Sequence, residues 1–517
     1  MPAVAPADTR RILVIFIAVM MGNALSALDT TMVATALPTI VGDLGGLRDL
    51  SWVATAYLLT ALATMPLYGK FGDMFGRKRI FIVAVVIFLT GSMMCGMAQS
   101  MTQLIFFRAI QGIGSGGLVS LPMAVVADLV PPRDLGRWIG YSGFLFAFAT
   151  TAGPLFGGLF AQHLSWRWAF FVNVPLGVAA IVVVSRTLHM PSRRTEHRID
   201  FGGAGLIMGA VTCLVLLTSW GGSRESWDSP LILGLGAAVV VFATLLIRRE
   251  QRAPEPVLPP RLFRISVARM ALVLNVLVGV LFTAALYYLS AFLQFVNGVS
   301  ATSSGIYVLP LMGTTVISTI MVGRLVDRTG RYRRYPIIGA AVTIASLAFL
   351  VQLDAGSKAI EVLLAAGVLG LGLGLIMQVL ILAIQNAVEQ RDIGVATSSS
   401  MFARQLGSAL GLALLGSVLT ARLTHFLPLL TPKSAHLDVT TLRGRPETLA
   451  HLSPAVRNGV IDAFGHSLHT VFLIFVPIAF AVLFFALRLR ELPLREHVGS
   501  ITVGDDLAIV LEGAALE

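Results

Sequence analysis

Fourteen apolar runs, most of them near the ~20 residues that a helix needs to cross a bilayer, fill this chain, and no water-soluble fold has an interior large enough to hide them. They fall at roughly 12–40, 50–69, 80–99, 102–127, 137–161, 166–186, 201–220, 230–247, 270–294, 303–323, 335–352, 360–386, 396–420 and 468–488. Hydrophobic residues make up 56% of the 517, charged residues only 13%, and the mean hydropathy is +0.83. An all-α membrane protein with 14 transmembrane helices is therefore expected.

The runs are organised by a repeated word. Gly69-Lys-Phe-Gly-Asp73-Met-Phe-Gly76-Arg77-Lys-Arg79 returns as Gly323-Arg-Leu-Val-Asp327-Arg-Thr-Gly330-Arg331-Tyr-Arg333. Each copy follows the second span of a half, which is the mark of an internal duplication. Aligning the copies leaves six spans before residue 190 and six after residue 265, with two left over. The expected organisation is an N-terminal six-helix bundle at 1–190 and two extra helices with basic, Pro-rich linkers at 191–264. A pseudo-symmetric six-helix bundle follows at 265–490, with an outer loop at 421–467, and then a tail at 491–517.

Charge sets the expected orientation. Most of the 38 Lys and Arg fall on one side if the even number of spans puts both termini in the cytoplasm. The formal charge of +11 is then a topology signal. It is spread over many loops, so a nucleic-acid partner is not expected. Cys95 and Cys213 both lie in spans, and the histidines near the long loop (His425, His436, His451, His466, His469) have no ligand spacing, so neither disulfides nor a metal site is expected. GxxxxGK[ST], HExxH and GxSxG are all absent. With no ATP-binding loop and no cofactor expected, an ion gradient is the remaining source of power, and the chain reads as no enzyme.

Asp29 is the only carboxylate well inside a span, and such an acid is costly enough to mark function. At ~1.5 Å per residue it lies about 25 Å from the start of its run, while Arg108 enters from the other side at about 9 Å, so the two reach similar depths in the outer half. They are expected to share a cavity, either as a proton-coupling and substrate-binding pair or as a static ion pair. In the hinge words, Asp73 suits the amino end of another helix, with the start of the span near Ala396 as the candidate, and Arg77 suits Asp128. Asp327, Arg331 and Glu389 repeat the set, giving two conformational latches or, alternatively, two plain topology signals. Arg404 and Gln405 face either the inner end of the cavity or the hinge loop.

The hinge word, Leu28-Asp29-Thr30-Thr31 in span one and Arg108-Ala-Ile-Gln111-Gly112 in span four resemble the major facilitator superfamily, in particular its fourteen-span drug:proton antiporter branch. Gly153-Pro154 with Gly157-Gly158 in span five is similar to that branch's exporter motif, although Ala149 stands where a further Gly is usual. The resemblance covers nearly the whole chain. It implies two bundles that rock about a central cavity, with Tyr57, Gln111, Asn275, Tyr287, Tyr288, Gln294, Gln378, Gln385 and Asn386 on the spans that flank it. It also implies proton-coupled efflux of amphipathic, cationic compounds across the cytoplasmic membrane, with only a small-molecule substrate and the lipid bilayer as partners. A dedicated exporter of a lipid, siderophore or secondary metabolite, with an outer-face partner at loop 421–467, is the alternative.

Overall fold

The computed structural model describes residues 9–44, 50–130, 163–188, 200–221, 225–253, 256–257, 260–299, 301–353, 357–389, 392–431 and 453–494, with scattered positions from 138 to 160. The described elements are all helices: α1 (Thr9–Leu44), α2 (Leu50–Phe75), α3 (Arg77–Gly96), α4 (Met101–Leu129), α5 (Trp168–Phe171), α6 (Asn173–Thr187), α7 (Phe201–Trp220) and α8 (Pro230–Glu250). There follow α9 (Pro260–Arg264), α10 (Ser266–Phe295), α11 (Ala301–Thr329), α12 (Arg334–Leu350), α13 (Ala359–Ala387), α14 (Ile393–Leu430) and α15 (Pro454–Arg488). Among the described residues ten helices are long and apolar enough to cross a membrane, and Gly202–Thr218 and Arg334–Leu350 are shorter apolar helices. α2 also fits an expected span, and most of the span expected at 137–161 lies outside the described residues.

The two halves are built by one packing scheme. On α4, Gly112 and Gly116 let the helix close on the carbonyls of Tyr57 and Ala61 in α2, and Gly370 and Gly374 on α13 do the same against Leu311 and Thr315 in α11. Threonines weld both pairs: Thr60 and Thr64 donate to the carbonyls of Ala109 and Ile113 at 2.8 and 3.2 Å, while Thr314 and Thr319 donate to Gly367 and Gly374 at 2.6 and 3.3 Å. Lipid tails give no hydrophobic drive for helix association, so close backbone approach and interhelical hydrogen bonds carry it. The hinge glycines also match, since Gly76 (φ 91°) and Gly330 (φ 66°) both turn the chain through the left-handed region that glycine adopts without a steric penalty.

At the end that carries the hinge words the halves are in contact. One buried cluster joins Ile15, Leu121 and Val125 of the first half to Val326, Leu375, Val379 and Met401 of the second. Both chain ends reach this side: Ile15 of α1 and Leu489 beyond α15 belong to the same cluster, and the Tyr332 hydroxyl donates to the Arg490 carbonyl at 2.9 Å. Along α14 exposure rises away from this end. Ser398, Gln405 and Leu412 are seven residues apart on one side of α14, and their exposure rises from buried, through partial, to 36%.

In the expected outer loop at 421–467, α14 continues to Leu430 and α15 begins at Pro454, so helix occupies both ends of the segment. The projecting ends hold each other: Gly459 packs on the Leu430 carbonyl, Phe464 stacks on Phe295 at 4.1 Å, and tertiary packing of this kind sustains helices beyond the bilayer. Residues 432–452 lie outside the described residues. The two extra helices do not merely link the halves. α7 seats Ile207 and Val211 beside Leu62 and Met65 of α2, with Phe402 and Leu406 of α14 packed against the same cluster, so it bridges both.

Candidate functional site

Asp29 sits in a sealed polar core of the first half. Its Oδ2 accepts from Arg108 Nη1 at 2.5 Å, and its Oδ1 accepts from Gln111 Nε2 at 2.8 Å and from Asn173 Nδ2 at 2.9 Å. Arg108 also donates to Gln111 Oε1 at 2.8 Å and to the Val53 carbonyl at 3.2 Å, with its guanidinium 4.0 Å from the Tyr57 ring centre. Asp29 and Arg108 are 0% and 1% exposed, so they share a closed network and not the open cavity expected from depth alone. Four helices build it: α1 gives the acid, α4 the Arg and Gln, α6 begins with Asn173, and α2 supplies Tyr57. The Tyr57 hydroxyl extends the network through Ser115 at 2.7 Å and Ser26 at 2.9 Å. Three donors converge on this one buried carboxylate, and the Arg108 guanidinium balances its charge.

At the hinge-word end, Asp73 reaches across the halves to the start of α14. Its Oδ1 and Oδ2 accept from the N–H groups of Gly394 at 3.2 Å and Val395 at 2.9 Å, which no earlier carbonyl of the helix can satisfy. The carboxylate also pairs with Arg77 at 3.0 Å. Arg77 in turn pairs with Asp128 at 2.9 Å and donates to the Ala124 carbonyl, tying the loop to the end of α4. Space is tight here, since a Cβ on Gly69 would meet Ser398, and one on Gly394 would meet the Asp73 carboxylate. The second copy is described in part. Arg331 and Glu389 are exposed, the Asp327 side chain lies outside the described residues, and Arg333 and Tyr332 hold the C-terminal segment through the carbonyls of Leu487 and Arg490 at 2.8 and 2.9 Å.

The positions expected to line a cavity mostly make helix contacts. Tyr57 and Gln111 belong to the Asp29 network. Asn275 donates to Ser400 at 2.8 Å, Tyr288 to the Leu412 carbonyl at 3.2 Å, Gln385 to Thr397 at 2.9 Å, and Asn386 to the Pro493 carbonyl at 3.0 Å. Gln294 bonds Ser290 on its own helix at 3.0 Å. Gln378 is buried, and Tyr287 is 52% exposed. In the exporter motif Gly153 packs on Thr31 and Gly157 on the Met32 carbonyl, while a Cβ on Gly158 would meet nothing within 4 Å. Pro154 lies outside the described residues. No cluster of three or more metal-type ligands occurs among the described residues. Asn173 also donates to the Asp29 carboxylate, and it is not singled out in the sequence reasoning above. The signal was an amide at the start of a span, at the depth already inferred for Asp29.

The family model described as Major Facilitator Superfamily matches residues 19–412. This chain belongs to the major facilitator superfamily. It is therefore a multi-pass membrane transporter of small molecules and not an enzyme. An uncharacterized MFS-type transporter of Mycobacterium tuberculosis is 37% identical over 497 residues, covering 96% of this chain and 72% of that one. Multidrug resistance protein 3 of Bacillus subtilis is 32% identical over 477 residues, covering 90% and 93%. Among solved structures, the human organic anion transporter MFSD10 superposes with a TM-score of 0.60 at 15% identity over 90% of this chain and 99% of that one, a likeness of fold alone.

Proposed function

We propose that this transporter exports amphipathic compounds, lipophilic cations among them, across the cytoplasmic membrane in exchange for protons. The hinge-word end is cytoplasmic in this reading, as the Lys and Arg distribution predicts. The two six-helix halves rock about a central site to give alternating access. Asp73 on α14 and the Arg77–Asp128 pair clasp the cytoplasmic end, and the clasp releases when substrate enters from inside.

The observation that carries the reading is the buried carboxylate of Asp29 held by Arg108, Gln111 and Asn173. A proton arriving from the outer side neutralises Asp29, loosens α1 from α4 and α6, and frees the Arg108 guanidinium. Return of the halves to the paired arrangement expels the proton inward. Names among the relatives, such as Multidrug transporter protein MdtP and Multidrug resistance protein 3 of Bacillus subtilis, support export of toxic compounds.

The test is proton movement in everted vesicles energised to an acidic interior, with lipophilic cations added to wild type and to Asp29→Asn. Dissipation of the gradient by cations in wild type alone is the expected result. If a folded wild type responds to no cation, the multidrug reading fails, and a dedicated lipid, siderophore or metabolite exporter takes its place.

A further inference from the structure

Arg404 is an intramembrane cation that the Asp29 network does not use. It lies eleven residues into α14, about 17 Å along the helix at ~1.5 Å per residue, which is half-way through a ~30 Å hydrocarbon core. Its side-chain hydrogen bond is a weak one, from Nη2 to Met401 Sδ at 3.6 Å. The contrast with Arg108, met by a carboxylate, an amide and a backbone carbonyl, is sharp.

The sequence around Arg404 supplies no acid at its level. α7, α10 and α14 carry no carboxylate at all, while α2 and α4 carry only Asp73 and Asp128, at the hinge-word end. On α13 the acid is Glu361 and on α15 it is Asp462, both near the opposite end of their helices. Asp29 is saturated by its own three donors. A guanidinium cannot shed its proton in a protein, so this charge is permanent.

Register shows where Arg404 points. Ser400, Gly407 and Gly411 turn one side of α14 to α10, through Asn275, Val276 and Val280. Gly394 and Ser398 turn another side to α2. At 100° per residue, Arg404 falls at the edge of the α10 side, where its carbonyl packs on Gly279, and its side chain reaches toward Met401 one turn below. Met401 belongs to the cluster that closes the halves at the hinge-word end. The Arg404 side chain thus lies beside that inter-half cluster, through Met401, and is partly exposed. Intramembrane charges of this kind face a bundle interior or a watery cavity and meet a partner there.

We propose that Arg404 is the binding site for an anionic group of the transported molecule, a carboxylate, sulfonate or phosphate, so that the transporter accepts amphipathic anions or zwitterions as well as cations. The guanidinium presents a planar fork that matches such groups in two-point fashion. The direction of transport rests on the export reading above; the site itself does not.

Two xanthene dyes of opposite charge test it: fluorescein, an anion, and rhodamine 6G, a cation. Binding to the purified full chain in nanodiscs is read by fluorescence polarisation for wild type, Arg404→Gln and Arg404→Lys. The expected result is a ten- to hundredfold weaker fluorescein affinity in Arg404→Gln, most of it restored in Arg404→Lys, with rhodamine 6G binding unchanged or tighter as proof of folding. The proposal is overturned if wild type shows no saturable fluorescein binding, if Arg404→Gln binds fluorescein as wild type does, or if both dyes weaken together, which would mark a packing residue. Vesicle transport of the same dyes separates the two readings. Rhodamine 6G export without any Arg404-dependent fluorescein binding sinks the anion site and spares export. Arg404-dependent fluorescein binding without movement of either dye does the reverse.

Discussion

Replacing Asp73 with Asn removes one negative charge from the contact that joins the halves and leaves the shape of the side chain intact. The carboxylate now accepts from Gly394 and Val395 at 3.2 and 2.9 Å. An Asn carbonyl keeps one of those bonds in neutral form and turns an N–H donor toward the other. A hydrogen bond to a charged group contributes about 1.5–3 kcal/mol, and the charge at a helix amino end adds a few tenths to about 1 kcal/mol. A loss of about 1.5–3 kcal/mol in the closed arrangement, at about 1.4 kcal/mol per factor of ten, predicts opening about ten- to hundredfold more often. Hydrogen exchange of the peptide containing Gly394 and Val395, in nanodiscs, reads this directly, because both N–H groups are protected by Asp73 alone and not by the helix. Exchange should speed up by that factor, and less in Asp128→Asn, which loosens Arg77 only. Unchanged or slower exchange in Asp73→Asn would mean that burying the charge costs as much as its bonds return, and the clasp argument would fail.

Arg108→Ala leaves a buried carboxylate without its cation and should cost about 3–5 kcal/mol, seen as a lower thermal midpoint in detergent. Asp29→Asn combined with Arg108→Gln should cost less than the sum of the single changes, since the two sites share one network. Gly69→Val drives a side chain into Ser398 and the Gly394 carbonyl; overpacking of about 1–3 kcal/mol should part α2 from α14 and abolish transport, while Gly158→Ala, which meets nothing, should be silent. Asp200 caps α7 through the Gly203 N–H at 3.0 Å and pairs with Arg249. Burial raises its carboxyl, but Arg249 and the Gly203 and Gly202 N–H groups outweigh it and leave the group below the ordinary range. Its contribution is therefore present above the usual carboxylate value of about 3.9 and lost as pH falls through the lowered one. The stability gap between wild type and Asp200→Ala, about 1 kcal/mol for a cap, should hold from neutral pH down to about 5 and close below about 4.

What the sequence carried plainly was the medium and the duplication, because both are written in features that do not depend on distant contacts: the length of the apolar runs and the spacing of Asp73, Gly76 and Arg77 against Asp327, Gly330 and Arg331. Depth counting brought Asp29 and Arg108 to one level, and they do meet. It gave no information about rotation, so whether the pair faced a cavity or a closed core was not legible. Rotation also explains the polar residues of the central spans. Asn275 and Tyr288 lie on helices that flank a cavity, but each turns its polar atom to α14. The helical ends of the 421–467 segment were not legible because hydropathy marks the bilayer, and α14 and α15 continue as helices past it.

The two halves kept their architecture and divided their chemistry. Gly112 and Gly116 against α2 have their counterparts in Gly370 and Gly374 against α11, and Gly153 and Gly157 against α1 in Gly407 and Gly411 against α10. Packing of this kind tolerates no side chain, so both copies retain it. Charge is under the opposite pressure. A second acid–base pair at mid-membrane would add a second desolvation cost. The first half holds a compensated pair, Asp29 with Arg108, which in the proposed cycle switches by gaining a proton. The second half holds Arg404, whose described side-chain hydrogen bond is the weak one to Met401 Sδ and which, in the proposal above, meets an anionic group of the substrate. Under the two proposals together, a protonation switch on one side and a fixed charge on the other would let proton and substrate bias the same rocking motion without competing for one residue.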